Sequence, residues 1–135
     1  MKRLSLSLSL LVLVLAGSLL IGCGSMTSAT ASAAAPARVA DGVLAGPNGM
    51  TLYTFDRDAA APGKSVCNGQ CAALWPPLTA AAGAQPSGDY TIVVRDDGSR
   101  QWAYKGKPLY FWVKDVKAGD RTGDGVNNVW RLARP

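Results

Sequence analysis

Histidine is absent from this chain, and all 9 acidic residues are aspartates, so glutamate is absent as well. Without histidine no Ser-His-Asp or Cys-His pair can form. Nor can one chain build an imidazole-based zinc, copper or haem site. Charge is sparse, 17% against 48% hydrophobic residues, but the apolar excess is unevenly placed. Lys2 and Arg3 precede an almost uncharged run that ends at Gly22, and the remaining 113 residues have an ordinary globular composition. Length alone argues for one domain.

The N-terminus carries the clearest signal. Lys2-Arg3 is a positive n-region, residues 4–15 are an apolar h-region with interspersed serines, and small residues lead to Cys23. This is a secretory signal pattern, to be set apart from the fold. The competing reading is a permanent membrane anchor, but residues 4–21 are at the short end of what spans a bilayer. Leu20-Ile21-Gly22-Cys23 resembles the bacterial lipobox. That resemblance implies cleavage before Cys23 and acylation of its thiol, with palmitate-type chains holding the protein on a membrane. Residues 1–22 are thus expected to be a lipoprotein signal peptide.

Residues 24–38 have no apolar periodicity and no large apolar side chain except Met26. Such a stretch cannot bury a face. Residues 23–38 therefore read as a lipidated cysteine and flexible tether, with an r.m.s. reach of roughly 20 Å. The domain is expected over residues 39–135. Loss of Lys2 and Arg3 takes the net charge from +5 to +3, too little to argue for nucleic acid. A weakly basic domain suits the surface of an anionic membrane.

The domain repeats itself. Gly49, Leu52, Tyr53, Phe55 and Asp58 align with Gly106, Leu109, Tyr110, Trp112 and Asp115 at a constant offset of 57, and Leu74-Trp75 then aligns with Val129-Trp130 at 55. Each half runs Gly-x-x-Leu-Tyr-x-aromatic-x-x-Asp, then a glycine-containing loop, then a tryptophan. The chain here resembles bacterial lipoproteins with a Tyr-x-(Phe/Trp/Tyr)-x-x-Asp motif, also called secreted repeats of unknown function. The resemblance rests on Tyr53, Phe55, Asp58, Tyr110, Trp112 and Asp115, with Cys67-Asn68-Gly69-Gln70-Cys71 and Trp75-Pro76-Pro77 beside them. It covers nearly the whole mature domain. One departure stands out: the family repeat ends in Trp-His, and here Trp130 is followed by Arg131. The resemblance implies an envelope location and brings no biochemical activity with it.

The strand pattern predicts a mostly β domain, a small pseudo-symmetric sheet or sandwich from two repeats. Residues 39–45 and 50–56 flank the breaker-rich Gly46-Pro47-Asn48-Gly49. Residues 90–95 and 100–104 flank an Asp97-Gly98 hairpin signal. Residues 108–113 and 129–133 read as further strands, and Pro108 confines its strand to an edge or a first position. Only residues 70–74, at the Cys-x-x-x-Cys segment, read as a short helical turn, ended by Trp75-Pro76-Pro77.

Cys67 and Cys71 are the strongest chemical candidates. Cys23 is consumed by lipid, so the cysteine count closes on one disulfide in an oxidising compartment. A staple into Trp75 is the plain reading; a redox pair is the alternative, although thioredoxin-like chemistry uses Cys-x-x-Cys in a βαβ setting. Asp58 and Asp115 follow their strands by three residues, where each would cap backbone N–H groups of a turn. Their sharper reading is a cation ligand in two copies. Asp120-x-Thr122-x-Asp124-Gly125 enters the EF-hand pattern, but position 12 is Arg131, so Asp115, Asp120 and Asp124 are weak calcium candidates and no metal is assigned.

Acid–base chemistry would rest on Asp, Lys or Tyr alone, and no pair of them is singled out by spacing. The sequence thus points to a bacterial cell-envelope lipoprotein facing the periplasm or cell exterior. Its domain reads as a non-catalytic binding or structural module without a cofactor, partnered by the membrane and by an unidentified envelope protein or small ligand. A redox accessory using Cys67 and Cys71, and a calcium binder, are the alternatives.

Overall fold

The computed structural model describes residues 34–135. The leader, Cys23 and the tether up to residue 33 lie outside the described residues. None of the described helices is long and apolar enough to cross a membrane.

The fold is mostly β, in small antiparallel sheets. Arg38–Ala40 (β1) and Val43–Ala45 (β2) form a hairpin with Val39 opposite Leu44. Its turn is Asp41-Gly42, with φ of 49° and 77°, the positive pair that a two-residue hairpin of this twist requires. The single strand expected over residues 39–45 is therefore two strands. Ala37, just before β1, is already buried.

Tyr53–Phe55 (β3) runs into a 3-10 turn at Asp56–Ala60. Gln70–Leu74 (α1) has the expected bounds. Pro76 disfavours the helical region for Trp75, and Trp75 accordingly leaves the helix at φ −121° and ψ 74°. Tyr90–Val94 (β4) and Arg100–Tyr104 (β5) make the second hairpin. Lys107–Pro108 (β6) pairs on β5 as the outer strand, where a residue without a donor is tolerated. Of the strand expected over residues 108–113 only Pro108 is in β6, and beyond it Tyr110 makes only single bridges. A 3-10 turn at Val126–Asn128 leads to Trp130–Leu132 (β7), which pairs with β3.

The two repeats are interlocked by exchanged final strands. In one half Leu44 N donates to Ala133 O (2.8 Å), Leu52 N to Leu44 O (2.9 Å) and Ala133 N to Leu52 O (2.9 Å). In the other half Trp102 N donates to Leu78 O (2.8 Å), Leu109 N to Trp102 O (2.9 Å) and Leu78 N to Leu109 O (2.9 Å). The hairpin and motif strand of the first repeat therefore receive the last strand of the second, and Leu78 from the end of the first repeat joins the hairpin and motif strand of the second. The halves meet at Tyr53 and Tyr110, whose backbones bond reciprocally.

Alternation along the motif strands divides the core in two. Leu52 and Leu109 enter an aliphatic cluster with Leu44, Leu78 and Ala133. Tyr53 and Tyr110 enter an aromatic cluster with Trp75, Trp112, Trp130 and Cys67. There Phe55, Trp130, Trp75 and Trp112 stack as one column, with centroid spacings of 4.3, 3.7 and 4.0 Å. The column is a palindrome: Phe55 matches Trp112 in the repeat, and Trp130 matches Trp75. Tyr53 meets Trp75 edge-on at 5.4 Å, and Tyr110 meets Trp130 edge-on at 5.2 Å. Edge-on contacts at such spacings are a favoured geometry for aromatic rings.

Candidate functional site

The six motif residues converge where the two repeats meet, and they are paired across the repeats. Tyr53 OH donates to Asp115 Oδ2 at 2.6 Å, and Tyr110 OH donates to Asp58 Oδ2 at 2.6 Å. The second oxygen of each carboxylate serves its own loop. Asp58 Oδ1 accepts from Val66 N at 2.8 Å. Asp115 Oδ1 accepts from Thr122 N at 3.0 Å and from Thr122 Oγ1 at 2.6 Å. The backbone acceptor role read from sequence is present, but it reaches eight and seven residues on and closes a whole loop. The tyrosine partner from the opposite repeat had no sequence signal beyond the motif's recurrence.

Burial makes these bonds consequential. All four side chains are buried, the two tyrosines fully, with Asp58 at 5% and Asp115 at 7% exposure. Desolvation pushes both phenols far above the ordinary tyrosine value, and the carboxylate each one faces adds to the shift. Both phenols therefore stay protonated and act as donors. Burial also raises the Asp58 carboxyl above its ordinary value, against the opposing pull of the Tyr110 bond, the Val66 amide and the charge of Arg95.

Arg95 is a residue that the sequence reading did not single out. It is 5% exposed and donates to Ser65 Oγ (2.8 Å), Gln101 Oε1 (2.6 Å) and the Cys67 carbonyl. Ser65 Oγ lies 2.7 Å from Tyr110 OH. Because the Tyr110 proton points to Asp58, Ser65 donates to Tyr110, and a chain of bonds runs from Arg95 through Ser65 and Tyr110 to Asp58. The buried cation faces the buried carboxylate through two hydroxyls, which keeps both polar groups satisfied. The only signal available beforehand was position: Arg95 directly follows the alternating strand β4.

Cys67 and Cys71 are joined as a disulfide with Cα atoms 5.1 Å apart. Cys67 is fully buried in the aromatic cluster, and Cys71 packs against that cluster's edge. Trp75 N closes the turn by donating to Cys71 O at 2.8 Å, so the staple fixes the point where the chain enters the tryptophan column.

Asp120 and Asp124 do not join Asp115. Asp120 Oδ2 accepts from Val116 N and Lys117 N, and Asp124 Oδ1 accepts from Leu132 N. Among the described residues no three acidic or cysteine side chains cluster as metal ligands. Gly123 lies against the column instead: a Cβ there would sit 2.9 Å from both Trp75 and Tyr53. Its amide donates to Tyr53 OH at 3.2 Å.

The profile of the lipoprotein family described as a secreted repeat of unknown function matches this chain twice, over residues 37–79 and 91–134. Each match runs from the first strand of a hairpin to the strand that is exchanged. No curated protein matches the chain, and no solved structure does. With both copies of the motif locked into each other over most of its domain, the chain belongs to the family of secreted repeats of unknown function.

Proposed function

We propose that the protein is a bacterial cell-envelope lipoprotein, acylated at Cys23, whose interlocked repeats form a non-catalytic binding or structural module at the membrane surface. The observation that carries the non-catalytic reading is the exchange of Tyr53–Asp115 and Tyr110–Asp58 bonds. The residues that define the motif spend their polar atoms on each other and on their own loops, as parts of a scaffold do. A secreted family and the lipobox-like Leu20-Ile21-Gly22-Cys23 support the envelope location. Weighing against a redox accessory is the burial of Cys67 beneath the tryptophan column.

The test is labelling with a palmitate analogue and detergent-phase partitioning of wild type and Cys23→Ala. Wild type is expected to be labelled and to enter the detergent phase, and Cys23→Ala is expected to do neither. Equal partitioning of the two proteins would overturn the anchor.

A further inference from the structure

One difference between the two halves opens a hollow. Phe111 of the second repeat corresponds to Thr54 of the first at the common offset. Phe111 fills its side: it packs on the aliphatic core, and its ring lies so near Gly46 that a Cβ there would sit 2.7 Å away. On the other side Thr54 is too small to do this. Tyr104, which lines that side, turns its ring toward Tyr90 at 4.9 Å and walls the space without filling it. The result is a hollow of about 510 Å³, within the range of small-molecule sites, roughly 300–1,000 Å³.

Its lining has two chemistries. Phe55, Pro62, Leu109, Leu132 and Ala133 supply apolar surface. Lys105, Lys107, Arg131 and Arg134 supply cations. The turn at Lys105-Gly106, with φ of 48° and 78°, holds the two lysines on either side of the β5–β6 tip. Both acidic residues of the lining are engaged. Asp56 Oδ2 accepts from Arg131 at 3.0 Å, and Asp58 accepts from Tyr110 and Val66. Lys105, Lys107 and Arg134 are exposed and enter no ion pair among the described residues.

We propose that this hollow binds a small organic anion with an apolar or aromatic body, the anionic group held by Lys105, Lys107 and Arg134 and the body resting on Phe55 and Leu132. The proposal deepens the binding-module reading by naming its ligand class. An apolar floor favours the body by area removed from water, and unpaired cations at the rim favour the anion and speed its capture.

The experiment is calorimetric titration of the full chain in non-ionic detergent, with matched blanks, using 1-naphthyl phosphate, the neutral 1-naphthyl glucoside and inorganic phosphate. Wild type is expected to bind naphthyl phosphate at least about tenfold more tightly than either comparator. Thr54→Phe copies the second repeat and fills the hollow, so binding should be lost while circular dichroism stays native. Lys107→Ala/Arg134→Ala touches only exposed side chains and should weaken naphthyl phosphate at least about tenfold, leaving the glucoside unchanged. A folded Thr54→Phe that binds like wild type overturns the proposal, as does equal affinity for the glucoside or no binding by wild type. If Thr54→Phe does not fold, the Lys107/Arg134 variant decides alone. Detergent partitioning is read on the same samples. A chain that partitions normally but binds nothing overturns the ligand site and leaves the envelope-module reading standing.

Discussion

Tyr53 and Tyr110 hold each other by the backbone in both directions, Tyr53 N to Tyr110 O at 2.8 Å and Tyr110 N to Tyr53 O at 3.0 Å. They are the same residue of the two repeats, so this pair marks the axis about which the halves are related. From it each phenol reaches the aspartate of the other repeat, and Trp75 and Trp130, again equivalent residues, stack at 3.7 Å. Recurrence of the motif follows from this geometry. A tyrosine in one copy has its partner only if the other copy supplies the aspartate.

Asp58 and Asp115 should respond alike to substitution. Ala at either site leaves a buried tyrosine hydroxyl and a loop amide without their acceptor, a loss of about 1–3 kcal/mol. Asn keeps one oxygen acceptor and should cost less. Thermal unfolding of both Ala and both Asn variants, with calcium and with chelator, measures this. A melting temperature that falls with chelator in wild type, and not in the variants, would indicate a cation site instead.

Acid should favour the Asp58 site. Its carboxyl is raised above the ordinary value of about 3.9, so the folded state binds more protons than the unfolded state through that window. Stability from this group is therefore greatest at low pH and declines as pH rises through the raised folded value. Asp97, which is exposed, and Asp120, which is half-buried, are lowered by their hydrogen bonds and act in the opposite sense. The difference between wild type and Asp58→Asn isolates the site: on acidification from neutrality it should shift in favour of wild type. A difference in melting temperature that is flat across that range would contradict the assignment.

The disulfide should be present and inert in the folded protein. Mass spectrometry of the exported protein should show the oxidised form. Thiol trapping without denaturant should stay negative even with mild reductant, because Cys67 is fully buried. Opening the five-residue loop is expected to cost about 2 kcal/mol in the chain-entropy account. Rapid reduction of the native protein, with no loss of stability, would favour the redox reading.

Much of this arrangement was legible in the sequence. The repeat, the motif residues and α1 followed from spacing, and Trp75-Pro76 set the end of α1. The hairpin at β1–β2 was missed although Asp41-Gly42 is a turn pair, because the stronger breakers at residues 46–49 drew the turn to themselves. Alternation tells which residues share a face but not which strand lies beside them, so neither the exchange of final strands nor the crossed Tyr–Asp bonds could be read. Arg95 carries no periodic signal. The meaning of Thr54 against Phe111 appears only once both sites are seen at matching places in the fold.

The motif works across the repeats and not within one, and a pair of double-mutant cycles measures this. Stability is measured for Tyr53→Phe, Asp115→Ala, Asp58→Ala and the two double variants that contain Tyr53→Phe. Coupling of Tyr53 to Asp115 should fall in the range of directly bonded residues, about 0.5–3 kcal/mol, and coupling of Tyr53 to Asp58 should stay below about 0.5 kcal/mol. Strong coupling of Tyr53 to Asp58, its neighbour in the same motif, with none to Asp115, would contradict the interlocked arrangement.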